Sequence, residues 1–471
     1  MLATTNSKFW MLPTFFICGV FALMAGKGSL AGMGALIGLI ALLLMLFSGI
    51  RVIAILLLIG VPTIFVFPNT AIQALPFVNT ERFLFGCIMG LLFLNFLFSH
   101  KSIEPLISPE KFAMGFLLVA ILSYFFSVLS GAYVPKPNQD AFFVIQYVMG
   151  FSGFVVARRL NWDLQLILRL IDILLIVGLF MTAQAILQYF LGMDVFVPDY
   201  LEVPHADEGR VTGTFANSSE YGAVAATILF LGVFRYSQTK DHLARTAIIG
   251  ILGMVCVAIF LSKTRAPWLA VAVSMMLIAY LDAKVRPMIV FCGVLGTVAA
   301  IVLLPFLVDF NSIQERLSSL APIYNRLSLW VSGISMGIQN PLLGVGFGTE
   351  GFQTAHPHYT IDIGGISAYW AAGVGVPHNE FVHIFALTGF TGLALYLGVL
   401  WTSFKQLKLI SANQMISPES RVFAMYAGVI LVNWMLNGLF VDTGLFWYLM
   451  FLMFFIVGAA ISFSKQKAAN Q

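Results

Sequence analysis

Four cationic side chains stand where a membrane protein keeps few. Arg210, Arg265, Arg326 and His378 fall between apolar runs on the side poor in Lys and Arg, beside small, hydroxylated and aromatic residues rather than acids. Planar guanidinium forks grip phosphate oxygens bidentately, so three together suit a diphosphate and the charge that develops on it as it leaves, a task often given to Mg²⁺. His378 lies in Val-Pro-His-Asn-Glu-Phe-Val-His. Its imidazole, with an ordinary pKa of about 6.5, can accept a hydroxyl proton near neutral pH. These residue types point to an anionic, lipid-linked substrate.

Each has a plainer reading. Arg210 opens Arg-Val-Thr-Gly-Thr-Phe-Ala-Asn-Ser-Ser-Glu-Tyr-Gly, where Thr212, Thr214, Ser218 and Ser219 add hydroxyls and Asn217 can cap a helix whose amides face the same space. It equally reads as an interfacial arginine snorkelling to headgroups. Arg265 shares a tight hairpin with Lys263, Ser-Lys-Thr-Arg-Ala-Pro-Trp, which puts both cations at the bilayer surface. Arg326 alone fits the rim of an amphipathic helix, and His378 alone fits a helix-start histidine bonded to backbone or solvent. Asn379 and Glu380 beside it are candidate acceptor or sugar contacts. Tyr359, Tyr369 and Trp370 can stack on sugar faces, although packing onto the membrane explains them equally.

A metal is not expected. The outer-loop acids, such as Asp194, Asp207, Glu350 and Asp362, are scattered. His378, Glu380 and His383 point to different sides of a helix at about 100° per residue, and their spacing is not His-Glu-x-x-His. His356 and His358 form a weaker pair, read as solvent-facing or substrate-lining. Metal-independent chemistry without a cofactor follows as the expectation.

The elements that must position these groups are membrane helices. Of 471 residues, 60% are hydrophobic and 10% charged, which excludes a water-soluble globular chain. Candidate spans fall at about 9–25, 30–48, 51–68, 82–98, 112–130, 141–157, 168–192, 217–234, 246–262, 267–283, 287–308, 379–404, 422–440 and 443–462. The expected fold is therefore all-α and polytopic, with about 12 to 14 transmembrane helices. Thr4 to Lys8 reads as a polar start before the first span rather than a signal peptide. Cys18, Cys87, Cys256 and Cys292 lie singly in apolar runs and read as packing residues. The side of Lys8, Arg51, Lys101, Arg158 and Arg235 collects most Lys and Arg, so both termini are expected in the cytoplasm.

The chain is expected to divide into N-terminal transmembrane helices (1–160), helices with arginine-bearing outer loops (161–308), a long periplasmic loop (309–378) and C-terminal helices (379–471). Inside the long loop, Ile323, Leu327, Trp330, Val331, Ile334 and Ile338 form one helical stripe and Asn325, Ser328, Ser332, Ser335 and Gln339 the opposite one. This helix is expected flat on the outer leaflet or capping the bundle. Its Gly333 and Gly337 flank is expected to admit a headgroup near Arg326, and Gly344 to Gly351 to make a flexible turn.

Asn325-Arg326-Leu-Ser-Leu-Trp330, Asn340-Pro341-Leu-Leu-Gly344-Val-Gly346-Phe-Gly348, Pro377-His378-Asn379-Glu380 and Thr388-Gly389-Phe-Thr-Gly392 occur in that order. Together with Arg210, Gly213 to Gly222 and Ser262 to Trp268, they resemble the O-antigen ligase and O-antigen polymerase superfamily. The resemblance runs from about Arg210 to Tyr396. It implies a GT-C-like glycosyltransferase of the inner membrane, with a periplasmic site, that moves a glycan from undecaprenyl diphosphate to an acceptor hydroxyl. By position Arg210, Arg265 and Arg326 would hold the diphosphate and His378 would activate the acceptor, with inversion at the anomeric carbon. The expected partners are the lipid-linked donor, a lipid A core or glycan acceptor and membrane lipids, with no nucleic acid.

A ligase is favoured over a polymerase using the same donor, and a protein-glycosylating member is a third possibility. From another class, a transporter or lipid flippase should place ionisable groups near the membrane midplane. Glu220, and Arg169 with Asp172, instead stay near span ends, and the last two are expected to pair three residues apart on one helix.

Overall fold

The computed structural model describes residues 54–62, 86, 90, 105–192, 210–215, 217–307, 321–359 and 376–468. The chain forms two compact units, Met1–Glu104 with Phe196–Leu201, and Pro105–Val195 with Glu202–Gln471. In the first, 54–62 is helical. The readings made for Thr4 to Lys8, for Cys18 and Cys87, and for the spans at 9–25 and 30–48 lie outside the described residues, as does most of 82–98.

The second unit is helical, without a strand among the described residues. Its helices are α1 (Ser108–Leu129), α2 (Pro137–Arg158), α3 (Leu164–Leu191), α4 (Ser218–Gln238), α5 (His242–Leu261), α6 (Arg265–Leu281), α7 (Arg286–Leu307), α8 (Ala321–Gln339), α9 (Gly351–Ala355), α10 (Glu380–Ala412), α11 (Pro418–Gly438) and α12 (Trp447–Ala468). Side-chain caps set several boundaries. Asp163 accepts from Leu166 N at 2.7 Å, Asp241 from Ala244 N at 2.7 Å, and Gly192 ends α3 at φ 61°.

Every span expected from residue 112 onward coincides with one of these helices. Six, namely α1, α2, α3, α5, α10 and α12, contain stretches long and apolar enough to cross a bilayer. The chain is thus an all-α, multi-pass membrane protein. Among the described residues six such helices replace the expected 12 to 14. The apolar stretches Arg265–Leu281 and Arg286–Val298 in α6 and α7 are shorter, and α4 and α11 are richer in small and polar residues.

The core is α12 pressed onto α2. A Cβ on Gly153 would lie 2.3 Å from Phe451 O, and one on Gly458 2.7 Å from Phe154 O, so the backbones approach as only small residues permit. Phe116 links this pair to α10 and the long loop through Tyr147, Tyr396 and Phe347, with ring centroids 5.3 to 5.9 Å away. Cys256 does not pack in this core. It is exposed with Met254, Val257 and Phe260 on the outward face of α5.

One end of the bundle is closed by ion pairs. Buried Arg158 at the end of α2 bonds Glu110 in the first turn of α1. Arg235 at the end of α4 pairs with Asp172 at 2.7 Å, so Asp172 reaches across to α4 rather than along its own helix to Arg169. At this end Asp282 also accepts from Tyr426 at 3.1 Å.

The glycine-rich turn after α8 is wedged into a break in α10. At Gly389, φ 65° and ψ −163°, α10 leaves helical geometry, which frees carbonyls above it. Val345 N donates to Ala386 O at 2.9 Å, Gly346 N to Leu387 O at 3.3 Å and Phe390 N to Pro341 O at 2.8 Å. Ser123 of α1 adds a bond to Leu387 O at 2.7 Å. Non-helical backbone at membrane depth persists where protein satisfies its polar groups in this way. The expected flexible turn is corrected: a Cβ on Gly344 would sit 2.3 Å from Leu387 C.

Candidate active site

Three separate elements carry the three arginines. The stretch 210–215 is clamped from both sides. Val211 N donates to Leu261 O at 3.3 Å, and Gln188 Oε1 of α3 accepts from Thr212 N and Gly213 N at 3.0 Å each. Gly213, at φ 55°, lies where a Cβ would be 2.6 Å from the Tyr221 ring. Thr212, Thr214 and Ser218 are buried, and Thr212 Oγ1 accepts from Gln188 Nε2 at 3.3 Å as part of the clamp. Asn217 caps α4, its side chain accepting from Ser219 N.

Arg265 is the exposed first residue of α6. The hairpin before it is fixed by Ser262 Oγ, which donates to Ile259 O and lies 2.8 Å from Thr264 Oγ1. Trp268 stacks on Phe260 and donates to Ile259 O. Lys263, at φ 49°, lays its ammonium 4.8 Å over the Tyr189 ring, a cation–π contact.

Arg326 projects from α8. Its pKa is lowered, first by desolvation and then by the charges of Arg265 and Arg210, while Asp442 acts in the opposite sense. Arg326 therefore lies in the field of both other guanidinium groups. The glycine flank of α8 admits no headgroup, because Val382 and Phe352 fill the space beside Gly333 and Phe385 the space beside Gly337. The apolar stripe of the helix faces away from the bundle. Ser328 and Ser332 are buried, while Leu327, Ile334 and Ile338 are exposed.

His378 occupies the turn before α10 at φ 53°, a left-handed conformation uncommon outside glycine. Trp330 Nε1 donates to Pro377 O at 3.0 Å and ties this turn to α8. His378 Nδ1 lies 3.7 Å from Asp442 Oδ2, with the imidazole 43% exposed and the carboxylate 3%. Asp442 lies between α11 and α12 in Phe-Val-Asp-Thr-Gly. It is absent from the sequence expectations, which weighed outer-loop acids as metal ligands and stopped at Glu380. An acid in a short outer connection between two spans was the available signal.

The neighbours of His378 face inward. Asn379 caps α10, accepting from Phe381 N and Val382 N at 3.1 Å and donating to Leu439 O. Glu380 is fully buried and accepts from Tyr396 OH at 2.9 Å, Gly444 N at 2.8 Å and Tyr147 OH at 3.3 Å. Half-buried Tyr359 pairs through its hydroxyl with Asn340 Nδ2 at 2.9 Å. Tyr369 and Trp370 lie outside the described residues. His356 is buried against Phe352 and held below the usual imidazole range by desolvation, so it faces neither solvent nor an open site. His358 is exposed. Among the described residues no three His, Cys, Asp or Glu side chains are grouped to hold a metal ion.

In this multi-pass helical protein Arg326 lies in the field of Arg265 and Arg210, and His378 faces a buried carboxylate. Residues 247–397, about a third of the chain, match the family described as O-Antigen ligase. No curated protein matches this chain. The matched segment includes Arg265, Arg326 and His378; Arg210 and Asp442 lie outside it.

Proposed function

We propose that this chain is a glycosyltransferase that moves a glycan from undecaprenyl diphosphate to an acceptor hydroxyl, most specifically as an O-antigen ligase acting on a lipid A core. The observation that supports this reading is that Arg326 lies in the field of Arg265 and Arg210, because cations brought together from three segments suit the several oxygens of a diphosphate. In this reading the guanidinium groups hold the donor and take up charge on the leaving diphosphate. His378 accepts the acceptor's hydroxyl proton, Asp442 orients the ring and stabilises the imidazolium, and attack opposite the diphosphate inverts the anomeric centre. Among the described residues the acids beside His378 are Asp442 and fully buried Glu380, and the chemistry is proposed to need no metal or cofactor. EDTA is expected to leave transfer intact, and loss restored by Mg²⁺ would contradict that.

The proposed setting is the inner membrane, with both termini cytoplasmic and the arginine end periplasmic. The full count of 12 to 14 spans and the divisions at 160, 308 and 378 belong to the same proposal. A polymerase with the same donor is the second reading, since the donor chemistry is identical. A strain lacking the gene separates the two. Long glycans left on undecaprenyl diphosphate indicate a ligase, single repeat units a polymerase, and no accumulation would overturn both.

A further inference from the structure

Asp442 has a second imidazole on its far side. His383, in the second turn of α10 and 2% exposed, sets Nδ1 3.4 Å from Asp442 Oδ1, while His378 Nδ1 is 3.7 Å from Oδ2. His383 Nδ1 and both carboxylate oxygens are buried with no hydrogen-bond partner among the described residues. Buried polar atoms in native proteins are nearly always satisfied, and these three face one another.

The surroundings offer Asp442 little else. Glu380 is occupied by Tyr147, Tyr396 and Gly444 N, and the last bond fixes the turn that carries Asp442. Arg326 feels Asp442 only through its field. Phe143 and Phe352 pack edge-on against His383, with centroids 6.1 and 6.0 Å away, setting its ring plane without competing for its proton.

We propose that His383 is a positioning residue that donates through Nδ1–H to Asp442 Oδ1 and so keeps Oδ2 aimed at His378. The proposal rests on the reading of His378 as the group that takes the acceptor's proton, and deepens it. A carboxylate gripped at one oxygen cannot swing about its own bond. Its other oxygen then stays in place to orient the His378 ring and to favour its protonated form.

The test uses the full-length protein in lipid nanodiscs, with ¹⁵N-histidine and the His378 signal assigned by its loss in His378→Ala. His383→Phe keeps an aromatic ring between Phe143 and Phe352 but removes the donor. It is expected to lower the His378 titration midpoint by about one pH unit. His383→Asn, which restores a donor near the Nδ1 position, is expected to return the midpoint towards wild type. A wild-type midpoint in His383→Phe would overturn the coupling. Should His383→Phe fail to fold, the wild-type His383 Nδ1 signal decides. A protonated Nδ1 that shifts on Asp442→Asn supports the contact, and an unprotonated or unmoved one overturns it. Full transfer by His378→Ala would instead overturn the base assignment itself, so the two failures are distinguishable.

Discussion

At one end of the bundle arginines meet acids, carbonyls and rings; at the other, one arginine lies in the field of two more. Arg158 bonds Glu110, Arg235 bonds Asp172, Arg245 lies 5.2 Å over Tyr236 and donates to Thr239 O, and Arg286 donates to the carbonyls of Ala279 and Tyr280. Arg326, by contrast, sits in the field of Arg265 and Arg210, with one buried carboxylate, Asp442, acting back. The first end uses cations to close the fold. The second sets Arg326 among like charges, the kind of local conflict on which the proposed anion site rests.

The largest effects should come from breaking the second end. His378→Ala, Arg265→Ala and Arg326→Ala are each expected to lower glycan transfer by roughly 10² to 10⁴-fold, on the scale of losing a general base or a charge-stabilising group. Because the arginines repel, the two arginine variants should melt at or above the wild-type temperature; a sharp loss of Tm would make them structural instead. Asp442→Asn should lower transfer by on the order of 10²-fold, since it keeps the shape and removes the charge that steadies the imidazolium.

Substitutions elsewhere should reverse the pattern. Arg158→Ala strands buried Glu110 and should destabilise the protein by about 3 to 5 kcal/mol, while transfer per folded molecule is retained. Gly389→Ala should cost at least about 1 to 2 kcal/mol for the left-handed residue, and more because its Cβ would lie 2.5 Å from Pro341 O. Thermal unfolding followed beside activity checks both. At the bottom of the scale is Lys136→Ala, which breaks an exposed 2.5 Å pair with Glu350 and should change stability by less than about 1 kcal/mol.

Helix positions were legible because apolar runs of the needed length are a composition signal. What the sequence hid is how separate motifs use one another. Asn340 to Gly348 and Thr388 to Gly392 read as two glycine-bearing turns, yet one supplies the amides that the other's broken helix requires. The exposed apolar stripe of α8 was readable as membrane-facing, but its buried serine and glycine side was not, because small residues in lipid mark helix contacts as well as open space. Within the site, cation types and their order were visible. The inward turn of Asn379 and Glu380 was not: the Asn379 cap is local, but its bond to Leu439 O and the burial of Glu380 against Tyr396 and Gly444 depend on residues distant in sequence. Asp442 was hidden for the same reason.

The most direct measurement is binding of undecaprenyl diphosphate, with undecaprenyl monophosphate as the control, to the purified full-length protein and to its Arg265→Ala and Arg326→Ala variants. A cluster of three cations predicts preference for the diphosphate, weakened at least about tenfold in either variant, as loss of a charge-assisted contact implies. Equal binding of the two lipids, unchanged by either substitution, would contradict the claim that these arginines form an anion site.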